Sequence, residues 1–143
     1  MANAENEVKE ATRRFYDAIE HIVSGRGPAA MSEAWHHNDR VTGGHPNGGW
    51  AIGWDELWST WEVFAGFGRA DRGGSSIRDL EAHVYGDIAY TTCIFTASPA
   101  WGGEDLACTN VLQRIDGVWK IIHHHADKGP KMGESLEKML GEG

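Results

Sequence analysis

At 143 residues, with 41% hydrophobic and 24% charged positions, the chain is the size of one domain, taken as residues 1–143, with a single core. A formal charge of −8 argues against binding to nucleic acid or anionic lipid, which needs clustered Lys and Arg. No apolar run approaches the roughly 20 residues that span a bilayer, and the acidic start MANAENEVKE is unlike a signal peptide, so neither a nucleic-acid nor a membrane partner is expected and a cytoplasmic location is.

From Glu5 to Val23 the apolar residues Val8, Ala11, Phe15, Ala18, Ile19 and Ile22 recur every three or four positions, which predicts a helix. Gly25 and Gly27 end it, and Pro28 suits the first position of a short second helix through Trp35. Arg40–Thr42 reads as a brief extended piece. The stretch GGHPNGG, 43–49, reads as a loop, because Pro46 pushes His45 away from helical angles. A third helix follows, capped near Asp55, with Trp54, Trp58, Trp61 and Ala65 on one face.

Beyond the loop GRADRGGSS come four strand-like runs, Ser76–Val84, Ile88–Ser98, Leu106–Ile115 and Val118–His125. Gly86-Asp87 and Asp116-Gly117 are hairpin signals, so an antiparallel meander is expected. KMGESLEKML near the end reads as a short amphipathic helix or a frayed tail. Cys93 and Cys108 lack metal or redox spacing and read as reduced packing residues. The order, helices and then strands, predicts an α+β fold in which three helices pack in a strongly curved antiparallel sheet and leave a conical cavity.

Seven tryptophans need somewhere to pack. The Trp54/Trp58/Trp61 stripe serves as core, as ligand contact, or as both. The chemically loaded segment is WKIIHHHAD, Trp119–Asp127. Strict strand alternation puts Trp119, Ile121, His123 and His125 on one face, with Lys120, Ile122 and His124 on the other. The apolar character of the first set predicts that His123 and His125 line the cavity and that His124 points to the back of the sheet, toward another subunit. Three roles follow for the inward pair: metal ligands completed by His45, polar residues satisfied by the protein, or acid–base groups. Asp39, in WHHND, either orients a histidine or caps the second helix.

Three stretches, TRRFYDAI, VTGGHPNGGWAIG and NVLQRIDGVWKIIHHH, resemble the nuclear transport factor 2-like superfamily, in particular its SnoaL-like and ketosteroid-isomerase-like branch, over a core of about residues 8–126. That resemblance implies a cone-shaped α+β barrel, a homodimer packed through the outer sheet face, and a pocket for a small, mostly apolar ligand. In ketosteroid isomerases an Asp-Pro in the loop before the third helix supplies the proton-shuttling base. His45-Pro46 takes that place here. The tyrosine that donates to the oxyanion corresponds to Phe15, with Tyr16 adjacent, and the second donor falls at or near Val111. The His-x-His also resembles the association domain of calcium/calmodulin-dependent kinase II and the iota class of carbonic anhydrase, whose HHHSS is HHHAD here. The missing serines argue against carbonic anhydrase activity.

The expected function is therefore proton transfer (isomerase or cyclase) or hydration on a small organic molecule, without a cofactor. His45, His123, His125 and Asp39 are the candidate catalytic residues. Phe15, Tyr16, Trp35, Trp50, Trp54, Trp58, Trp61, Val111 and Trp119 are the candidate pocket. The alternatives are a non-catalytic binding or oligomerisation module, and a metal-dependent enzyme using His45, His123 and His125.

Overall fold

The computed structural model describes residues 3–46, 48–128 and 132–141. Helix α1, Ala4–Val23, starts at Asn3, whose side chain accepts the Glu5 N–H at 2.9 Å, and it buries the apolar stripe from Val8 to Ile22 that the spacing predicts. Phe15 is fully buried among Tyr16, Trp35, Trp61 and His124, with ring centroids 4.7–6.0 Å away. Burying such a ring is worth about 1.5–3 kcal/mol. Helix α2, Ala29–Ala34, follows Pro28, and Trp35 continues it as a fully buried extended residue bridged to Ile121.

The predicted loop at 43–49 is instead the core of a hairpin, β1 (Thr42–His45) and β2 (Gly48–Ile52). Asn47, inside that predicted loop, lies outside the described residues, as does Lys131 of the predicted C-terminal helix. Two of the glycines that suggested a loop, Gly43 and Gly44, are there because their neighbours leave no room for a side chain. A Cβ on Gly43 would meet Leu57 Cδ2 at 2.8 Å, and one on Gly44 would meet the Trp50 ring at 2.8 and 2.9 Å. Helix α3, Trp54–Gly66, has Gly53 at its N-cap and no side-chain cap, so Asp55 lies in its first turn rather than capping it.

The meander is β3 (Ser76–Tyr85), β4 (Ile88–Thr96), β5 (Asp105–Ile115) and β6 (Val118–Lys128), with helix α4 (Met132–Gly141) after it. Asp116 and Gly117 both have positive φ, as a two-residue hairpin turn with native twist requires. The six strands form one sheet in the order β2-β1-β6-β5-β4-β3, antiparallel throughout except where β1 runs parallel to β6. The sheet curves around α1 and α3, which gives the predicted cone. Among the described residues no helix is long and apolar enough to cross a membrane.

One irregularity governs the site. Register between β5 and β6 shifts between Val111 and Leu112: Leu112 faces Ile121, whereas Val111 faces His123. Ile122 is the extra residue of a β-bulge, and a one-residue slip transfers every later side chain to the opposite face. Trp119 and Ile121 point inward as alternation predicts, but after the bulge it is His124 and Ala126 that are buried.

Candidate functional site

The cone encloses a cavity of about 290 Å³. Its wall is mostly apolar, from Ile19 and Ile22 of α1, Phe64 of α3, Phe95 of β4, Leu106 of β5 and Ala126 of β6. Its polar side chains come from separate elements: Tyr16 from α1, His45 from the end of β1, Trp61 from α3, Ser75 from the segment before β3, His124 from β6, and Ser98 and Trp101 from the β4–β5 connection. Glu104 and Lys128, both exposed, stand at the rim.

Two of these groups, Tyr16 and His124, are joined through Asn110, which does not line the cavity, in a buried hydrogen-bonded chain. The Asn110 amide N–H donates to the Tyr16 hydroxyl at 2.9 Å, and the Asn110 carbonyl oxygen lies 2.7 Å from His124 Nδ1. With the amide so oriented, Nδ1 must carry the proton and donate. His124 Nε2 is then the lone-pair nitrogen of a neutral ring. Burial, reinforced by the nearby His45, His123 and His125, pushes the His124 pKa well below its ordinary value. Tyr16 accepts from Asn110, so its own O–H is free to donate. Burial, with the Cys108 and Cys93 thiols adding to it, raises the phenol well above its usual range and keeps it protonated.

Beside this chain, at the end of the neighbouring strand β1, stands His45, its ring centroid 5.8 Å from that of His124 and wedged edge-on against Trp61 and Phe64. Burial, then the charge of His125, lowers its pKa, so it is a neutral base at pH 7. Its Nε2 is buried and has no hydrogen-bond partner among the described residues. The Trp61 and Trp101 indole nitrogens and Ser98 Oγ are in the same condition.

Against the expected residues the placement is uneven. His45, Tyr16 and Trp61 line the cavity. His123 and His125 do not: the bulge turns them to the outer face, where Thr42 Oγ1 lies 2.6 Å from His123 Nδ1 and the Trp50 indole lies over both imidazoles at 5.6 and 5.1 Å. The expectation that His124 points to the back is corrected by the same bulge. Asp39 is exposed and has no side-chain hydrogen bond among the described residues; Asn38 makes the local turn bond, to Arg40 N–H. Phe15 and Trp35 are core, packed behind the cavity wall. Trp54 and Trp58 stack on each other, half-buried against the core rather than lining the cavity, with Trp54 also against Trp35 and on His37. Trp119 is buried beneath the Arg114 guanidinium, and Val111 shares the outward set with His123.

His45 and the His123/His125 pair thus stand on opposite faces of the sheet and make no common ligand set. Among the described residues no three His, Cys, Asp or Glu side chains are grouped to hold a metal ion. Sequence reasoning missed His124, Asn110, Ser98 and Trp101. For Asn110 a signal existed, a polar residue on the otherwise apolar inward ladder of Cys108 and Leu112.

A family model described as SnoaL-like domain matches residues 8–126. Among curated proteins, F-box protein SKIP8 of Arabidopsis thaliana is 25% identical over 105 residues, covering 73% of this chain and 44% of that protein. The chain therefore spans less than half the length of this relative. Among solved structures, a candidate dehydratase of the NTF2-like family from Streptomyces avermitilis superposes with a TM-score of 0.72 at 23% identity, over 89% of this chain and 96% of that one. A candidate ketosteroid isomerase from Parabacteroides distasonis gives 0.64 at 19%, over 82% and 87%. A candidate calcium/calmodulin-dependent kinase type II association domain from Thiobacillus denitrificans gives 0.66 at 22%, over 85% and 94%. These likenesses establish the fold.

Proposed function

The chain belongs to the SnoaL-like family, and from that premise we propose that it catalyses proton transfer on a small carbonyl compound, as isomerisation or loss of water. The observation that carries this reading is the Tyr16–Asn110–His124 chain on the cavity wall, with neutral His45 beside it on the neighbouring strand and lining the same cavity. His45 Nε2 takes a proton from the carbon next to the carbonyl. The C–H electron pair moves into a new C=C bond, and the carbonyl oxygen takes up charge against the Tyr16 O–H. Asn110 fixes that hydroxyl before the reaction, so no reorganisation is needed as charge develops. The His45 imidazolium then returns the proton, either to a different carbon or to a departing β-hydroxyl, which leaves as water. His124 Nε2 is the second acceptor within the site and orients the substrate or the leaving group.

The test is solvent-deuterium exchange at the α-carbon of 2-tetralone, followed by proton NMR. Exchange above background is expected for the wild type, with complete loss in His45→Ala and a roughly 100- to 1,000-fold drop in Tyr16→Phe. Equal exchange by wild type and His45→Ala would overturn the assignment. Absence of exchange with retained binding would favour a ligand-binding module of the same fold.

A further inference from the structure

Five buried side-chain polar atoms lack a hydrogen-bond partner among the described residues: His45 Nε2, Trp61 Nε1, Ser98 Oγ, Trp101 Nε1 and Trp119 Nε1. Buried polar groups are nearly always paired, because an orphan costs roughly 1–3 kcal/mol. The first four belong to residues that line one cavity. Such a concentration marks a place where hydrogen bonds are completed by a ligand. The indoles restrict its chemistry, since an indole N–H donates and cannot accept. Whatever meets them must present lone pairs.

The polar groups lie at two ends. Tyr16 and His124 sit at the level of Asn110 on the inner face of β5, whereas the mouth is at the level of Leu106 and Lys128. Four residues of strand separate these levels, about 13 Å at 3.3 Å per residue. At the mouth the β4–β5 connection folds over the cavity. Its turn, Pro99–Trp101, is closed by Trp101 and Gly103 N–H groups donating to Ser98 O, which fixes Ser98 and Trp101 together. Ser98 is 1% exposed.

Charge and volume narrow the class further. Among the described residues the only cation lining the cavity is Lys128, exposed at the rim, so a carboxylate at the deep end would be buried without a counter-charge. A volume of about 290 Å³ is at the small end of ligand pockets, which suits a compact ring compound.

We infer that the ligand is a compact uncharged ring compound with acceptor oxygens at opposite ends, one held at Tyr16 and the other by the Ser98 O–H and the Trp101 N–H. This deepens the proton-transfer reading by naming the substrate class of the same cavity. The Ser98/Trp101 pair is a specificity subsite remote from the reacting carbon.

Calorimetric affinities of 2-tetralone and 6-methoxy-2-tetralone test it. The methoxy group adds an acceptor and no donor. The methoxy ketone is expected to bind roughly three- to tenfold tighter than 2-tetralone. That ratio should fall to about one in both Ser98→Ala and Trp101→Phe, each checked for an intact thermal transition. Equal affinities in the wild type, an undiminished ratio in both variants, or no binding of either tetralone would each overturn the inference. Because the readout is affinity, a protein that shows the gain but exchanges no protons refutes only the acid–base reading. One that exchanges protons without the gain refutes only the subsite.

Discussion

Replacing Asn110 by leucine tests whether the buried polar chain is a structural unit. The side chain is fully buried, and its removal strips partners from two others, the His124 Nδ1–H and the Tyr16 hydroxyl oxygen, themselves only 2% and 5% exposed. Each stranded group costs about 1–3 kcal/mol, while burying leucine instead of an amide recovers about 1 kcal/mol, for a net loss of about 3 kcal/mol. In a domain of this size that lowers Tm by about 10 °C. Tyr16→Phe strands only the Asn110 N–H and should cost about 1–2 kcal/mol. Because the two substitutions break one shared bond, the double variant should lose about 1 kcal/mol less than the sum of the singles. Urea unfolding at pH 8, where His124 is neutral in both states, measures all three. A loss below about 1 kcal/mol for Asn110→Leu, or strict additivity, would refute the reasoning.

Stability should depend on acid in a definite direction. His124, His45 and His123 have pKa values lowered by burial, so below the unfolded-state value of about 6.5 the unfolded chain binds more protons than the folded one. Their contribution is complete above about pH 6.5 and is lost as pH falls toward the folded-state values. Buried His124 alone should give a slope of up to about 1.4 kcal/mol per pH unit, and denaturant midpoints from pH 8 to 5.5 should flatten in His124→Gln. The β1 glycines should differ on mutation. Gly43→Ala drives a methyl into fully buried Leu57 and should cost about 1–3 kcal/mol, whereas Gly44→Ala meets half-exposed Trp50, which can swing away, so unfolding curves should show the smaller loss with red-shifted tryptophan emission. Glu20→Ala removes the carboxylate that accepts from Gly74 N–H, Ser75 N–H and the Ser75 hydroxyl, so amide exchange at Gly74 and Ser75 should accelerate while α1 stays protected.

The helices and the meander are legible because each rests on local periodicity: the α1 stripe from Val8 to Ile22, the alternation of β3 to β6, and the Asp116-Gly117 turn. The site is not legible in the same way, because its geometry rests on contacts distant in sequence. From the turn, an unbroken ladder pairs Leu112 with Ile121 and would then set Asn110 opposite His123. The extra residue, Ile122, sets it opposite His124 instead. Nothing within WKIIHHHAD selects the bulge. It is held from the other side by β1, which places Thr42 beside His123 and Gly44 beside His125, with Gly44 bare so that Trp50 can lie across the two outward rings. Those β1 glycines read as loop formers for the same reason: a requirement for small size imposed by Leu57 and Trp50 cannot be told, in sequence, from a requirement for freedom. Ser98 and Trp101 sit in SPAWGGED, a connection without periodicity, where position is set by the turn and by Phe64 packed 5.8 Å from the Trp101 ring. Binding groups concentrate in such connections, which can vary without disturbing the sheet. The bulge and the folded-over turn therefore do comparable jobs at the two ends of the cavity. Each takes a side chain that strand alternation alone would leave unplaced and aims it inward, His124 at one end and Ser98 with Trp101 at the other.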